Sequence, residues 1–335
     1  MTEVSFILPA YKRRFLKEAI DSILTQTCRE FELVVVDDKS PEGLYEVIRE
    51  YPWEAQGELL PDGGKKWCVN GIPVRYYQNA ENIGGRDLVE AWHHAIEYAI
   101  GEWCVLASDD DIYFPAYLAE MLRLVEKYPK VDLVHCRIVR IDAEGNWTYA
   151  GDQRIEYETQ VQMAYSRGAR RAFQVAPDFM FRRSALDKIG GFVRFPLAWH
   201  SDDATWMLLS KNGVACSSEI LFAFRFSGEN ISSRYDNIEK KIEAEELFRN
   251  WFVAFYAGLT ATSREDEFLM QDMRERVNAG INALAKLELS HSKNFCEWYR
   301  LLKKMNLSPV ERRAFFYDRY PLFYTLRMLV PWHRR

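Results

Sequence analysis

The sequence predicts an α/β fold: a mostly parallel sheet flanked by helices, followed by a C-terminal helical extension. Three observations predict it. Strand-like and helix-like segments alternate through the first 112 residues, the signature of parallel pairing with helical crossovers. The two strongest apolar runs, 31–36 and 103–107, both end in acids. Beyond 236 the chain carries long helical periods without proline over 239–259 and 264–289. The expected division is 1–235 for the α/β unit, with halves 1–112 and 113–235, and 236–335 for the helical region.

The elements follow in order. Val4-Ser5-Phe6-Ile7-Leu8 is a short strand ended by Pro9. Leu16, Ala19, Ile20, Ile23 and Leu24 recur at helical spacing. The strand 31–36 follows, then a helix marked by Leu44, Val47 and Ile48. Residues 52–73 form an insertion in which Asn70-Gly71 gives a two-residue hairpin signal. Leu88, Ala91, Trp92, Ala95, Ile96 and Ala99 make a third amphipathic helix before the strand 103–107. From about 113 the pattern loosens. Residues 131–141 form a strand, 142–180 carry few periods, and Met180-Phe181-Arg182-Arg183 leads into a short helix and Gly190-Gly191-Phe192. His200-Ser201-Asp202-Asp203 opens a helix that stops at Gly213.

Composition narrows the function classes. The 48% hydrophobic content fills a large core, and the 14% aromatic content suits either core or a carbohydrate site. A formal charge of −5 gives no drive toward nucleic acid. Six scattered cysteines without a CxxC pair suit free thiols in a reducing compartment. The N-terminus lacks a basic region and a long apolar region, and no stretch reaches the ~20 apolar residues of a membrane span. The expected location is cytoplasmic, with peripheral attachment to the inner membrane face as an option.

The chemistry concentrates at strand ends. Ser108, Asp109, Asp110 and Asp111 terminate one strand, Asp37 and Asp38 another. Parallel strands bring both ends to one edge, where open α/β sheets bind ligands. Adjacent like charges repel unless a cation neutralises them, and oxygen-only ligands suit Mg²⁺ or Mn²⁺. The plainer alternative is a solvated turn with one Asp capping the next helix. Asp202 and Asp203 can likewise be caps, and about 100° separates their directions on a helix, so only one is expected to aim inward.

These pieces, in this order, resemble the family-2 glycosyltransferases of the GT-A fold. Leu8-Pro9-Ala10-Tyr11 resembles the family's opening turn, with Lys12 where Asn is usual. Ser22-Ile23-Leu24-Thr25-Gln26-Thr27, the run Glu32 to Ser40 and Asn82-Ile83-Gly84-Gly85 match further segments. The run 107–115 resembles the DxD-type motif, with Ser108 replacing its first Asp, and Gly190-Gly191-Phe192 with Asp202-Asp203 resembles the "G-G-F … E-D" of the acceptor half. The resemblance covers about residues 3–235.

The resemblance implies roles. Pro9, Ala10 and Tyr11 line the nucleotide, with Tyr11 stacking on the base and Asp38 hydrogen-bonding it. Arg86 meets the diphosphate, Asp109 faces the ribose, and Asp110 and Asp111 supply the metal ligands. Asp202 or Asp203 is the general base, the spacing to Gly213 favouring Asp202 and the Asp-Ala-Thr continuation favouring Asp203. The implied activity is metal-dependent, inverting transfer from a nucleotide-diphosphate-sugar, a UDP-sugar first, to a glycan or lipid-linked acceptor in surface polysaccharide synthesis. A divalent ion stabilises the leaving diphosphate, and a carboxylate deprotonates the acceptor hydroxyl. Two alternatives stand: a sugar-1-phosphate nucleotidyltransferase, disfavoured because Pro9-Ala10-Tyr11-Lys12-Arg13 has no glycine, and an inactive nucleotide- or glycan-binding module.

Residues 296–335 hold nine Lys/Arg against three acids, net +6, interleaved with aromatics. Such a segment suits anionic membrane headgroups, or caps the catalytic unit with its aromatics.

Overall fold

The computed structural model describes residues 3–54 and 57–319. The first half is built from β1 (Val4–Ala10), α1 (Leu16–Leu24), β2 (Phe31–Asp37), α2 (Leu44–Arg49), β3 (Glu58–Leu59), β4 (Lys65–Val69), β5 (Ile72–Gln78), α3 (Leu88–Ile96) and β6 (Trp103–Leu106). β7 (Ile112–Tyr113), α4 (Tyr117–Lys127), β8 (Leu133–Ile141), β9 (Trp147–Ala150), β10 (Tyr157–Glu158) and α5 (Gln160–Gly168) follow. The α/β unit is completed by β11 (Phe179–Arg182), α6 (Arg183–Lys188), α7 (Ser201–Leu209) and β12 (Val214–Arg225). Four helices close the described chain: α8 (Ile238–Ala257), α9 (Arg264–Ser290), α10 (Phe295–Lys304) and α11 (Pro309–Arg319).

The main path of the sheet runs β10-β12-β8-β11-β6-β1-β2-β5-β4-β3. β6, β1, β2 and β5 are mutually parallel, as are β8 and β12, while β11 runs antiparallel between β6 and β8. Two reversals restore direction, so β1, β2, β5, β6, β8 and β12 all end at one edge. Alternation along the strands divides the core. Phe6, Leu33, Val35 and Val105 face α1, α2 and α4, whereas Ile7, Val34, Cys104 and Leu106 face α3, α6 and α7. The expected hairpin joins β4 to β5, with Asn70 and Gly71 at φ 51° and 78°.

The second half holds more order than its sequence suggests. The expectation of few periods over 142–180 is corrected by β9, β10, α5 and β11, and α4 stands where the pattern looked loose. Helix α5 is fixed by a capping box between Thr159 and Gln162.

The helical region is packed onto the α/β unit. Val161 and Ala164 of α5 and Ala204 and Met207 of α7 share one core with Phe248 and Phe252 of α8 and Met273, Val277 and Ile281 of α9. Removing a side chain such as Phe248 from such a core costs ~3–5 kcal/mol. A second cluster joins α8 and α9 to Trp298, Leu301 and Leu302 of α10 and Phe315 of α11. The part of the basic-aromatic segment beyond Arg319 lies outside the described residues. Among the described residues no helix is long and apolar enough to cross a membrane. All six cysteines are free.

Candidate active site

The exits of β1 and β6 are tied to each other. Asp109 Oδ2 accepts the backbone N–H groups of Tyr11 (2.8 Å) and Lys12 (2.7 Å). The Lys12 ammonium donates to Asp110 Oδ2 at 2.6 Å and lies 3.7 Å from Asp109. Asp110 Oδ1 accepts from the Ser108 hydroxyl at 2.5 Å, and Asn230, beyond the end of β12, donates to Oδ2 at 3.2 Å. Burial pushes the Asp109 carboxyl up, with Lys12 opposing. Burial also works against the Lys12 charge, yet Asp109 and Asp110 together raise its pKa.

Asp111, expected beside Asp110 as a second ligand, is tied through one carboxylate oxygen to the end of β12. Its Oδ1 accepts the backbone N–H of Arg225 at 2.8 Å, and burial with the neighbouring Asp110 charge holds its carboxyl well above the usual range. Arg225 itself is buried and donates from Nε to the Asp110 carbonyl. It also pairs with Glu18 and lies over the Phe15 ring. The acid run is thus held between β1 and β12, which is more than a solvated turn requires.

The other donor-side candidates hold varied positions. Tyr11 is 42% exposed, so it is free of the core and able to meet a planar ligand. Pro9 and Ala10 lie opposite Val36 and Asp37 in the β1–β2 register. Asp38 accepts from Asn79 Nδ2, Ile83 N and Gly84 N at 2.7–2.8 Å, so its carboxylate organises the 79–84 turn. A Cβ at Gly84 would stand 2.9 Å from Asp38 Oδ2, which explains the glycine. Arg86 is exposed and paired with Glu81.

The second cluster surrounds the start of α7. Arg167 of α5, with only 3% of its side chain exposed, meets Asp202 from Nη2 and Asp203 from Nε, each at 2.5 Å. The expectation that only one acid aims inward is corrected: one guanidinium fork spans both directions. Nor is either acid the cap, because His200 holds that position in a left-handed conformation (φ 68°). His200 bridges Asp203 (2.6 Å) and Glu245 of α8 (3.0 Å), stacked on Phe248 at 4.3 Å. Burial opposes its charge, but Glu245 and Asp203 prevail and push it up to about 9.

The two acids consequently differ. Burial raises the Asp202 carboxyl, with Arg167 opposing and Asp203 adding to the rise. Burial would raise Asp203 too, but Arg167 and His200 hold it well below the usual range. The Gly190-Gly191-Phe192 turn docks beside them on α3. Gly191 has φ +90° and leaves no room for a Cβ against the His93 ring, while Phe192 N–H donates to His93 Nε2 at 2.6 Å.

A run of residues connects the clusters. Tyr113, two positions after Asp111, donates to the Pro177 carbonyl at 2.8 Å, and Tyr117 donates to the Asp178 carbonyl at 3.3 Å. The buried Asp178 adds to the charge that raises the Arg167 pKa, behind Asp203 and Asp202. Arg167, Glu245, Arg225 and Asn230 are absent from the sequence expectations, and His200 enters them only as part of a helix start. The capping box ahead of Arg167 was an available signal for α5, but none marked that arginine as buried.

The sheet order is that of the GT-A fold. The chain belongs to glycosyl transferase family 2, whose model matches residues 5–190. It is 28% identical over 159 residues to an uncharacterised glycosyltransferase of Rickettsia typhi, covering 46% of this chain and 43% of that protein. It is 25% identical over 146 residues to one from Methanocaldococcus jannaschii, covering 43% of this chain and 44% of that protein. The chain thus spans less than half the length of these curated relatives. Its fold is shared with S. aureus TarS 1-349 in complex with UDP-GlcNAc, at 17% identity and TM-score 0.64, covering 99% of this chain and 93% of that one. The mannosyltransferase PcManGT from Pyrobaculum calidifontis, in complex with GDP-Man and Mn²⁺, matches at 15% identity and TM-score 0.54, covering 99% of this chain and 88% of that one.

Proposed function

We propose that the protein moves a sugar, with inversion, from a nucleotide-diphosphate-sugar to a hydroxyl acceptor, and that Asp202 is the proton acceptor. The observation that carries this reading is the pairing of two acid clusters with opposite surroundings. Asp109 and Asp110 gather a cation at the sheet edge. Asp202 keeps a raised carboxyl beside an Asp203 locked by two cations. A base with a raised pKa is better matched to neutral pH than one held far below it.

The donor binds at the edge formed by Pro9, Ala10, Tyr11, Asp38, Asp109 and Asp110, with Tyr11 stacking on the base. Arg86 joins the diphosphate if it leaves Glu81. Asp109 and Asp110 fit a divalent ion, Mn²⁺ or Mg²⁺: they are hard oxygen donors, and the Lys12 ammonium already stands on them as a tethered cation. When bound, the ion supplies neutralisation of the charge on the departing diphosphate. The acceptor oxygen forms its bond to C1 as its proton passes to Asp202, and the bond from C1 to the diphosphate oxygen breaks with its electron pair leaving on that oxygen. Arg167 holds the Asp202 carboxylate in position for this transfer.

TarS with UDP-GlcNAc is the stronger of the two structural matches, which supports a UDP-sugar first. A glycan or lipid-linked acceptor in surface polysaccharide synthesis, with the protein peripheral to the cytoplasmic membrane face, follows the family reading. The test is release of nucleoside diphosphate from UDP- and GDP-sugars, with and without Mn²⁺ and candidate acceptors. Acceptor-dependent release supports transfer; nucleotide-sugar synthesis from a sugar phosphate, or no turnover of any donor, rejects it.

A further inference from the structure

We propose that Lys12 is an exchangeable cation of the donor site: its ammonium closes the ion position on Asp109 and Asp110 in the donor-free protein and moves to the donor's diphosphate when nucleotide and divalent ion bind together. The inference deepens the donor-site reading above and rests on it.

The geometry supports it in three ways. First, the ammonium sits 2.6 Å from Asp110 and 3.7 Å from Asp109, on the same carboxylates that fit the ion. Ser108 and Asn230 also bond Asp110, but both are neutral donors. An entering cation therefore competes with a covalently tethered charge. Second, the backbone is fixed while the side chain is not. The N–H groups of Tyr11 and Lys12 are pinned on Asp109, whereas the Lys12 side chain is 30% exposed on a flexible four-carbon stem. Third, the charge count falls short for a free ion. Ser108 stands where the resembled motif carries its first acid, and Asp111 commits one carboxylate oxygen to the Arg225 backbone N–H. One fewer carboxylate and one added ammonium weaken the nucleotide-free ion site. A diphosphate reverses the balance, because it gives the ammonium a new anionic partner and gives the ion additional oxygen ligands.

This arrangement makes ion and nucleotide binding reciprocal: each strengthens the other by the same factor. Mn²⁺ binding, read by electron paramagnetic resonance or calorimetry on the full chain with and without UDP or GDP, tests it. The wild type is expected to bind Mn²⁺ weakly alone and at least about tenfold more tightly with the fitting nucleotide. Lys12→Met keeps the stem and removes the charge. It is expected to bind Mn²⁺ about tenfold more tightly than wild type without nucleotide, and to lose most of the coupling. Lys12→Gln checks that the gain follows charge, and Asp110→Asn checks that the ion measured is the one at this site. Unchanged nucleotide-free affinity in both Lys12 variants overturns the exchange. If both variants lose nucleotide affinity while no form of the protein takes Mn²⁺, the ammonium replaces the ion outright and the exchange is likewise overturned. If the wild type binds neither nucleotide nor Mn²⁺ in any combination, the donor-site reading itself fails, and the Lys12 inference with it.

Discussion

The two acid clusters of this protein are held by different means. At the sheet edge, Asp109 is positioned by backbone N–H groups and Asp110 by the Ser108 hydroxyl and the Asn230 amide, and their charge is met by the partly exposed Lys12. On α7, Asp202 and Asp203 are gripped by Arg167, and Asp203 also by His200, both buried and braced by α5 and α8. The difference agrees with the roles proposed for the two clusters. A site that takes up an anionic ligand with its counter-ion needs a cation that can leave. A proton acceptor needs a carboxylate that stays where it is, and a fixed guanidinium achieves that. The helical region is part of this second device, because Glu245 comes from α8.

The sharpest way to break this comparison is to neutralise one acid at a time. Asp202→Asn should lower turnover ~10²–10⁴-fold, the loss expected for a missing proton acceptor, with donor affinity nearly unchanged. If Asp203→Asn gives that pattern instead, the roles of the pair are exchanged. Asp110→Asn should lower Mn²⁺-supported turnover on the order of 10²–10³-fold by removing electrostatic support for the leaving group. Full activity of that variant in excess EDTA contradicts the ion assignment.

Stability sharpens the comparison further. Arg167→Met leaves two carboxylates facing each other without their counter-charge, and urea denaturation should show a loss of ~3–5 kcal/mol. Lys12→Met removes a cation that is itself 30% exposed, and should cost less than Arg167→Met although Asp109 and Asp110 are buried. Similar costs at both positions remove the contrast between a fixed and a leaving cation. His200 adds a pH signature. Its folded pKa of about 9 exceeds its ordinary value, so its contribution is complete below ~6.5 and is lost as pH rises through about 9. That window carries on the order of 3 kcal/mol. The wild-type urea midpoint should therefore fall between neutral pH and about 10, and His200→Gln should flatten the fall.

Legibility in the sequence followed the range of the interactions. β1, β2 and β6 announce themselves because buried parallel strands are continuous apolar runs, and their acids sit at the run ends. The turn at Asn70-Gly71 was legible for the same local reason. β12 was not: its register shifts around Ser217–Ile220 break the apolar pattern in two. Arg167 and Arg225 drew no expectation, since no local pattern tells a buried arginine from an exposed one. Asn230 reaches Asp110 from 120 residues away, a contact created only by the fold. The expected roles of Asp38 and Asp111 came from motif position alone. The structure gives both carboxylates backbone partners, Asp38 in the 79–84 turn and Asp111 at the end of β12.

The central claim is that the edge acids serve the donor and the α7 acids serve the acceptor. Its most direct test is a thermal-shift titration of UDP-, GDP-, dTDP- and CMP-sugars with Mn²⁺ on wild type, Asp110→Asn and Asp202→Asn. The account predicts that at least one nucleotide sugar raises the wild-type Tm, that Asp110→Asn abolishes the Mn²⁺-dependent part of the rise, and that Asp202→Asn retains it. Loss of the rise in Asp202→Asn but not in Asp110→Asn, or no rise with any nucleotide sugar, would contradict it.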